Sequence, residues 1–131
     1  MELRILIDTN RYRDFSEAEP VAVDVVRRAR EFHIPLIVVA ELRAGFAVGT
    51  RSQPNEETLS RFLHRSRVRV AAMNLDTTWH YANLFRQLRT QGTPIPTNDI
   101  RVAALAVQHE LMLFSRDEHF GHLPQLARIN R

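Results

Sequence analysis

Residues 97–120, TNDIRVAALAVQHELMLFSRDEHF, decide the fold because they join a helix-patterned segment to a short apolar strand. The spacing predicts a helix over 98–109 that travels about 18 Å and a strand over 111–116 that travels about 20 Å. The two segments run in opposite directions, so Asp117, just past the strand, returns to the level of Asp99 at the start of the helix. Two carboxylates are therefore expected at one edge of the domain.

The rest of the chain alternates in the same way between short apolar runs and longer amphipathic ones. The apolar runs predict strands over residues 3–8, 35–42, 67–73 and 111–115. The amphipathic segments predict helices over residues 21–32, 40–48, about 56–65 and 77–91, with Asp76 and Thr77 as caps of the last and Thr97 as the cap of the helix after it. Residues 127–131, ARINR, are a candidate edge strand. This alternation indicates an α/β domain with helices on both faces of a mostly parallel sheet of four or five strands.

Composition narrows the class of protein. The chain has 131 residues, no cysteine and 18 basic residues, all of which are arginine. The length predicts one domain, residues 1–131. No apolar run approaches the roughly 20 residues of a membrane span, and charges interrupt the N-terminal MELRILID, unlike in a signal peptide. We therefore expect a cytoplasmic protein with no membrane partner. The lack of lysine excludes Schiff-base and P-loop chemistry, while a net charge of +3 carried by guanidinium groups permits binding to nucleic acid.

Four carboxylates fall near the expected carboxyl ends of the strands, where open parallel sheets bind their ligands. Asp8 closes the first predicted strand. Glu41 lies just past the second, in the first turn of the following helix, and Asp117 lies just past the fourth. Asp99 reaches the same edge by the length argument above. The sequence therefore predicts an acidic cleft built from distant parts of the chain.

Such a cleft favours a divalent cation. Four neighbouring carboxylates repel one another, and all-oxygen ligation suits Mg²⁺ or Mn²⁺, which can activate water against a phosphodiester. Asn10 and Ser115 are candidates for orienting these carboxylates. A structural interpretation stays open for each residue: Asp99 and Glu41 can complement helix dipoles, and the others can be cap or turn residues.

Three ordered motifs give the chain a family resemblance: LIDTN at 6–10, VVAELRAG at 38–45, and residues 96–120, which end in SRDEHF. Together they resemble PIN-domain ribonucleases, in particular the VapC-like toxins of type II toxin–antitoxin pairs. The resemblance implies a three-layer α/β/α PIN-like fold. It implies that Asp8, Glu41, Asp99 and Asp117 hold one or two Mg²⁺ or Mn²⁺ ions and activate water to cleave RNA internally. It also implies a homodimer and a hetero-oligomer with a cognate antitoxin, which often sends an arginine into the acidic pocket.

One departure from that pattern concerns the arginines. Many members follow DTN with apolar residues, whereas this chain has Arg11, Tyr12 and Arg13. Arg11, Arg13 and Arg116 are candidates for gripping RNA phosphates. Arg13 has the alternative of pairing with Asp14 or Glu17. A further basic run is either a track that steers RNA or a solvated face, and it comprises Arg61, Arg65, Arg67 and Arg69.

Two other functions compete with the nuclease. A phosphoacceptor receiver domain also has an acidic Mg²⁺ pocket, but it uses a lysine that this chain lacks. A non-catalytic PIN-like module that binds RNA or protein stays open, although such modules usually lose an acid and all four are present here. Among the remaining residues, His119 and His122 are expected on a surface turn, and Trp79 and Phe85 in the core or at a dimer contact.

Overall fold

A four-stranded, all-parallel sheet forms the middle of the molecule in the computed structural model, which describes residues 3–130. The strands are β1 Arg4–Ile7, β2 Glu31–Pro35, β3 Val68–Ala71 and β4 Met112–Phe114. The helices are α1 Thr9–Ser16, α2 Pro20–Arg28, α3 Leu36–Val48, α4 Ser52–Leu63, α5 Leu75–Gln91 and α6 Thr97–His109, followed by a short 3₁₀ helix, Glu118–His122. The described helices are too short or too polar to cross a lipid bilayer.

The sheet order is β3-β2-β1-β4, and helices cover both faces to give three layers. The central strand β1 carries Ile5, Leu6 and Ile7, none of which is exposed to solvent, as expected for a strand covered on both sides. The predicted fold class is confirmed. The C-terminal tail adds one parallel bridge, between Leu113 and Arg128, rather than a fifth strand; Arg131 lies outside the described residues.

Side-chain caps start α2 and α5 but not α6. Glu19 caps α2 by accepting hydrogen bonds from the backbone N–H groups of the first turn. A capping box of Asn74 and Thr77 starts α5, so Asn74 is the cap residue and the predicted Asp76 lies within the first turn. Thr97 is the first residue of α6, and its predicted capping role is wrong because Pro96 precedes the helix without a side-chain cap.

The second strand and the helix after it differ from the prediction. The run 35–42 was expected to be a strand, but its residues from Leu36 onward form the first half of α3, and β2 precedes them at Glu31–Pro35. A short apolar run fits either a strand or a buried helix by periodicity, and here the helix buries Val38, Val39 and Leu42. The predicted helix 21–32 accordingly ends at Arg28.

Two further helices differ from the prediction. Helix α1 was not predicted at all, because its sequence TNRYRDFS is mostly polar; it buries only Arg11 and Tyr12. Helix α4 begins at Ser52, four residues before the expected start at 56. Neither difference disturbs the order of strands, so the acidic residues still reach the sheet edge.

Candidate active site

Asp8 lies at the junction of β1 and α1, directly after the most buried strand. Its backbone N–H donates to the carbonyl of Phe114 at 3.0 Å, which ties it to β4. Its side chain caps α1 by accepting a hydrogen bond from the N–H of Thr9 at 2.9 Å and accepts another from Ser115 Oγ at 2.7 Å. Only 7% of the residue is exposed, and this burial raises the pKa of the Asp8 carboxyl, to which the charge of Asp117 adds.

Glu41 faces the same cleft from α3. It lies in the second turn of that helix, not in the first turn of a helix after a strand 35–42. Partial burial raises the pKa of its carboxyl first, and the negative charges of Asp8 and Asp99 raise it further. The electrostatic coupling indicates that these three acids share one environment.

Asp99 and Asp117 come together around a histidine. Asp99 lies in the first turn of α6, and Asp117 caps the 3₁₀ helix by accepting a hydrogen bond from the N–H of His119. The Nδ1 atom of His119 lies 3.0 Å from Asp99 Oδ2 and 3.0 Å from Asp117 Oδ1. Burial raises the pKa of Asp99, while its contact with His119 works in the opposite direction. The hydrogen bond to Asp99 raises the pKa of the His119 ring.

The structure brings these groups together as a tight group of three residues with two further acids nearby. One ligand atom each from Asp99, Asp117 and His119 lies within 4.8 Å of the other two. Asp8 and Glu41 stand outside this tight group but close enough to interact by charge. In addition to burial, Asp117 raises the carboxyl pKa of Asp8, Asp8 and Asp117 raise that of Asp99, and Asp8 and Asp99 raise that of Glu41. The four predicted acids therefore do line one cleft.

Asn10 and Ser115 connect the two segments that carry Asp8 and Asp117. Ser115 Oγ donates to Asp8 and accepts a hydrogen bond from the backbone N–H of Asp117 at 3.0 Å. Asn10 does not touch an acid; its Nδ2 donates to Ser115 Oγ at 3.3 Å, and its Oδ1 accepts from the N–H of Arg116 at 3.0 Å. This network fixes the loop after β4 against the start of α1.

Arg11 is buried in the interior of the protein. Its side chain is 6% exposed and its Nη1 lies 3.2 Å from Asp14 and 3.8 Å from Glu19. Its guanidinium carbon also lies 4.6 Å from the centre of the Phe114 ring, within the range of a cation–π contact. Because these contacts bury Arg11, a phosphate outside the protein has no access to it.

Arg116 and Arg13 remain open to solvent. Arg116 Nε lies 2.9 Å from Asp14 while 56% of its side chain is exposed. Within residues 3–130, Arg13 forms no ion pair shorter than 4 Å, so the pairing with Asp14 or Glu17 does not occur. Arg13 and Arg51 instead line a cavity of about 500 Å³ between α1, α3 and α4.

The donor set fits a divalent cation of the Mg²⁺ or Mn²⁺ type. Four carboxylates supply oxygen ligands, which both ions prefer. No arginine among residues 3–130 lies within ion-pair distance of Asp8, Glu41, Asp99 or Asp117. Burial is the main cause of the raised carboxyl pKa values of Asp8, Glu41 and Asp99, and neighbouring negative charge adds to it. A bound cation would relieve that charge.

His119 is the residue at this site that sequence reasoning missed. It was expected on a surface turn, and its side chain is indeed 49% exposed, yet its ring contacts two of the acids. The available signal was its position two residues after Asp117. Its second partner, Asp99, is 20 residues away, so the contact depends on the return of β4 to the start of α6.

The fold and the cleft define a class: a three-layer α/β domain whose parallel sheet carries an unbalanced acidic cluster at its carboxyl edge. The family model for the PIN domain matches residues 5–126. The chain belongs to the PIN-domain family, as its motifs predicted.

Relatives of known name support the VapC type. VapC ribonuclease Y4jK of Sinorhizobium fredii is 33% identical over 121 residues, which span 86% of each protein. The plasmid stability protein StbB of Pseudomonas syringae pv. tomato is 32% identical over 122 residues, which span 86% of this chain and 87% of that protein. The predicted resemblance to VapC proteins is thereby confirmed.

Solved structures agree on the fold. The structure of VapBC2 from Rickettsia felis, bound to a DNA fragment from its promoter, contains a chain that matches with a TM-score of 0.87 at 22% identity, over 98% of this chain and 99% of that one. VapBC-1 from nontypeable Haemophilus influenzae matches with a TM-score of 0.82 at 22% identity, over 98% of each chain. At these identities the likeness concerns the architecture.

Proposed function

We propose that this protein is a metal-dependent endoribonuclease and the toxin of a type II toxin–antitoxin pair, with residues 1–131 acting as one PIN-like domain in the cytoplasm, where its RNA substrate is found. The observation that carries the proposal is the acidic cleft: four carboxylates from distant segments lie near one another, and no arginine among residues 3–130 forms an ion pair with any of them, although the charge of Arg13 acts on Glu41. The names of the VapC relatives support RNA as the substrate.

Asp8, Glu41, Asp99 and Asp117 would hold one or two Mg²⁺ or Mn²⁺ ions. When bound, such an ion lowers the pKa of water and neutralises charge on a phosphodiester. Ser115 and the N–H of Thr9 each hold one oxygen of Asp8, so this carboxylate keeps a fixed orientation. Asn10 supports the same arrangement through Ser115.

The reaction is a hydrolysis in which a water oxygen bonds to phosphorus and the bond from phosphorus to one ribose oxygen breaks. The attacking water gives up a proton as that bond forms. Glu41 is suited to accept it, because burial and the neighbouring acids raise the pKa of its carboxyl. A proton returns to the ribose oxygen that leaves.

Arg13 and Arg116 are the proposed contacts to the RNA backbone. Both guanidinium groups are exposed, and both lie on segments that adjoin the cleft, α1 and the loop after β4. Planar guanidinium groups bind phosphate in a bidentate manner. Arg11 is not part of this proposal because it is buried.

The proposed partners are a second copy of the chain and a cognate antitoxin. A cavity of about 670 Å³ beside α3 and α5 is mainly apolar in its lining, which includes the exposed Leu36 and Met73. Trp79 and Phe85 are exposed on α5, outside the lining of this cavity. The exposure of Trp79 and Phe85 excludes the core and favours a dimer contact. An antitoxin arginine in the acidic cleft would neutralise it, and the VapBC structures support such a partner.

The test is cleavage of total RNA by purified, tag-free protein, followed by mapping of the new 5′ ends. We expect discrete cuts with Mn²⁺ or Mg²⁺, none with EDTA, and recovery when metal is added in excess over EDTA. Cleavage that persists in EDTA would contradict the metal mechanism. RNA binding without cleavage in Mn²⁺ would favour the non-catalytic module instead.

A further inference from the structure

The imidazole of His119 is aimed at the acidic cleft by two carboxylates at once. Its Nδ1 is 3.0 Å from an oxygen of Asp99 and 3.0 Å from an oxygen of Asp117. A single ring nitrogen carries at most one proton and can donate only one full hydrogen bond. The hydrogen bond goes to Asp99, so the equally short contact to Asp117 is an additional one that this hydrogen bond does not account for.

The same distances match a shared metal ion. Two neighbouring ligands of an octahedral ion, each about 2.1 Å from it, lie about 3.0 Å apart. The spacing from Nδ1 to each oxygen agrees with that value. The three ligand atoms lie within 4.8 Å of one another, so the distances permit them to occupy neighbouring or opposite positions around one ion. The ring is half exposed, so packing in the core does not account for its orientation.

We propose that His119 Nδ1 is a direct ligand of the metal, so that the site has one nitrogen donor among its carboxylate oxygens. This inference rests on the metal site of the proposed function and adds a residue to it. Imidazole suits transition metals, whereas Mg²⁺ strongly prefers oxygen and water. His119 therefore biases the site toward Mn²⁺ over Mg²⁺.

The local fold makes this ligand available. Asp117 starts the 3₁₀ helix Glu118–His122 and holds the N–H of His119 at 2.9 Å. That turn points the ring back toward Asp99 on α6. His122, three residues later, lies at the end of the same 3₁₀ helix and is exposed; the ligand group around Asp99 and Asp117 does not include it. His122 is therefore a matched control.

The experiment is pulsed electron paramagnetic resonance of Mn²⁺ bound to tag-free protein in the absence of RNA, with calorimetric titration of Mn²⁺ and Mg²⁺ in parallel. The wild type and His122→Gln are expected to give the ¹⁴N coupling of a directly bound imidazole. His119→Gln is expected to lose that coupling. Its Kd for Mn²⁺ should rise at least about 10-fold, while its Kd for Mg²⁺ should change less than about 3-fold.

The outcomes separate this inference from the proposed function. If Mn²⁺ binds without nitrogen coupling, or if the coupling survives in His119→Gln, His119 is not a ligand, and the carboxylate site stands. If the wild type binds neither ion, the metal site fails, and the role of His119 fails with it. Circular dichroism of each variant checks that the fold is intact.

Discussion

Two charged clusters sit side by side in this protein and are built in opposite ways. In the first, Asp14 pairs with Arg11 at 3.2 Å and with Arg116 at 2.9 Å, so two cations surround one acid. In the second, the cleft of Asp8, Glu41, Asp99 and Asp117, His119 is the one ion-pair partner among the described residues, and Arg13 acts on Glu41 by its charge without an ion pair. The two clusters are joined through the short segments 8–14 and 115–117.

The difference does not come from a shortage of cations. The chain has 18 arginines, and a single acid, Glu31, pairs with two of them, Arg4 and Arg69. Balanced pairs hold elements together, whereas unpaired acids in a cleft destabilise the fold and persist where function needs them. The comparison indicates that the Asp14 cluster serves the structure, whereas the acidic cleft is the place that we propose for a ligand.

The largest effect is expected from removing one acid of the cleft. Asp8→Asn should lower the rate of RNA cleavage by about 10³-fold, because the loss of a metal-binding charge removes several kcal/mol of transition-state stabilisation. Single-turnover kinetics with a mapped RNA would measure it. Asp76→Asn, an exposed acid in the first turn of α5, is the control and should cleave normally; equal rates for Asp8→Asn and the wild type would remove Asp8 from the site.

Removing a cation from the Asp14 cluster should lower the stability of the fold instead. Arg11→Gln removes a buried cation and leaves the nearly buried Asp14 with one partner fewer, so we expect the free energy of unfolding to fall by about 3 kcal/mol. Urea unfolding measures this change. Arg116→Gln removes an exposed partner of the same acid and should change the stability by less than about 1 kcal/mol. The account of the first cluster fails if the two variants are equally stable.

Neutralising one acid of the cleft should raise the stability of the metal-free protein. Burial and like charges raise the pKa of Asp99 in the folded state. The stability that Asp99 contributes is therefore fully present below the pKa it has in the unfolded chain, and it is lost as the pH rises through the raised pKa of the folded state. Asp99→Asn should therefore stabilise the metal-free protein by on the order of 1 kcal/mol at pH 7, and this gain should shrink toward pH 4. Thermal unfolding of both proteins across this pH range measures it; a variant that is less stable than the wild type at pH 7 would refute the repulsion.

The smallest effect concerns RNA affinity. Arg13→Gln in a catalytically inactive Asp8→Asn background should weaken RNA binding about 3-fold for all sequences alike and reduce the salt dependence by about one phosphate contact. Fluorescence anisotropy at several salt concentrations measures both. Arg86→Gln on α5 is the matched control, and an unchanged salt slope in Arg13→Gln would exclude a phosphate contact.

Much of this picture follows from the sequence, and the reasons are specific. Asp8 and Asp117 were predicted because each directly follows an apolar strand, and Asp99 because helix and strand lengths bring it back to Asp117. Glu41 was predicted at the correct edge with the wrong local structure, since LIVVA has no periodicity that separates a strand from a buried helix. The position survives because α3 starts directly at the carboxyl end of β2 and carries Glu41 in its second turn.

Other features depend on contacts that a single sequence does not display. Helix α1 is polar on most of its surface, and its buried arginine is stabilised by Asp14 and Glu19 and by the ring of Phe114, from a strand about 100 residues away. The contact between His119 and Asp99 likewise depends on the return of β4 to the start of α6. In both cases a polar residue that looks exposed in the sequence is held by distant partners.

The most direct measurement of the central claim is heat unfolding of the wild type and Asp99→Asn with and without Mn²⁺. An ion that binds only the folded cleft adds about 2.7 kcal/mol at 100 times its Kd, so the Tm of the wild type should rise by roughly 8 °C. Asp99→Asn at the same Mn²⁺ concentration should show little of this rise. An unchanged wild-type Tm, or an equal rise in the variant, would contradict the claim that the acidic cleft exists to hold a cation.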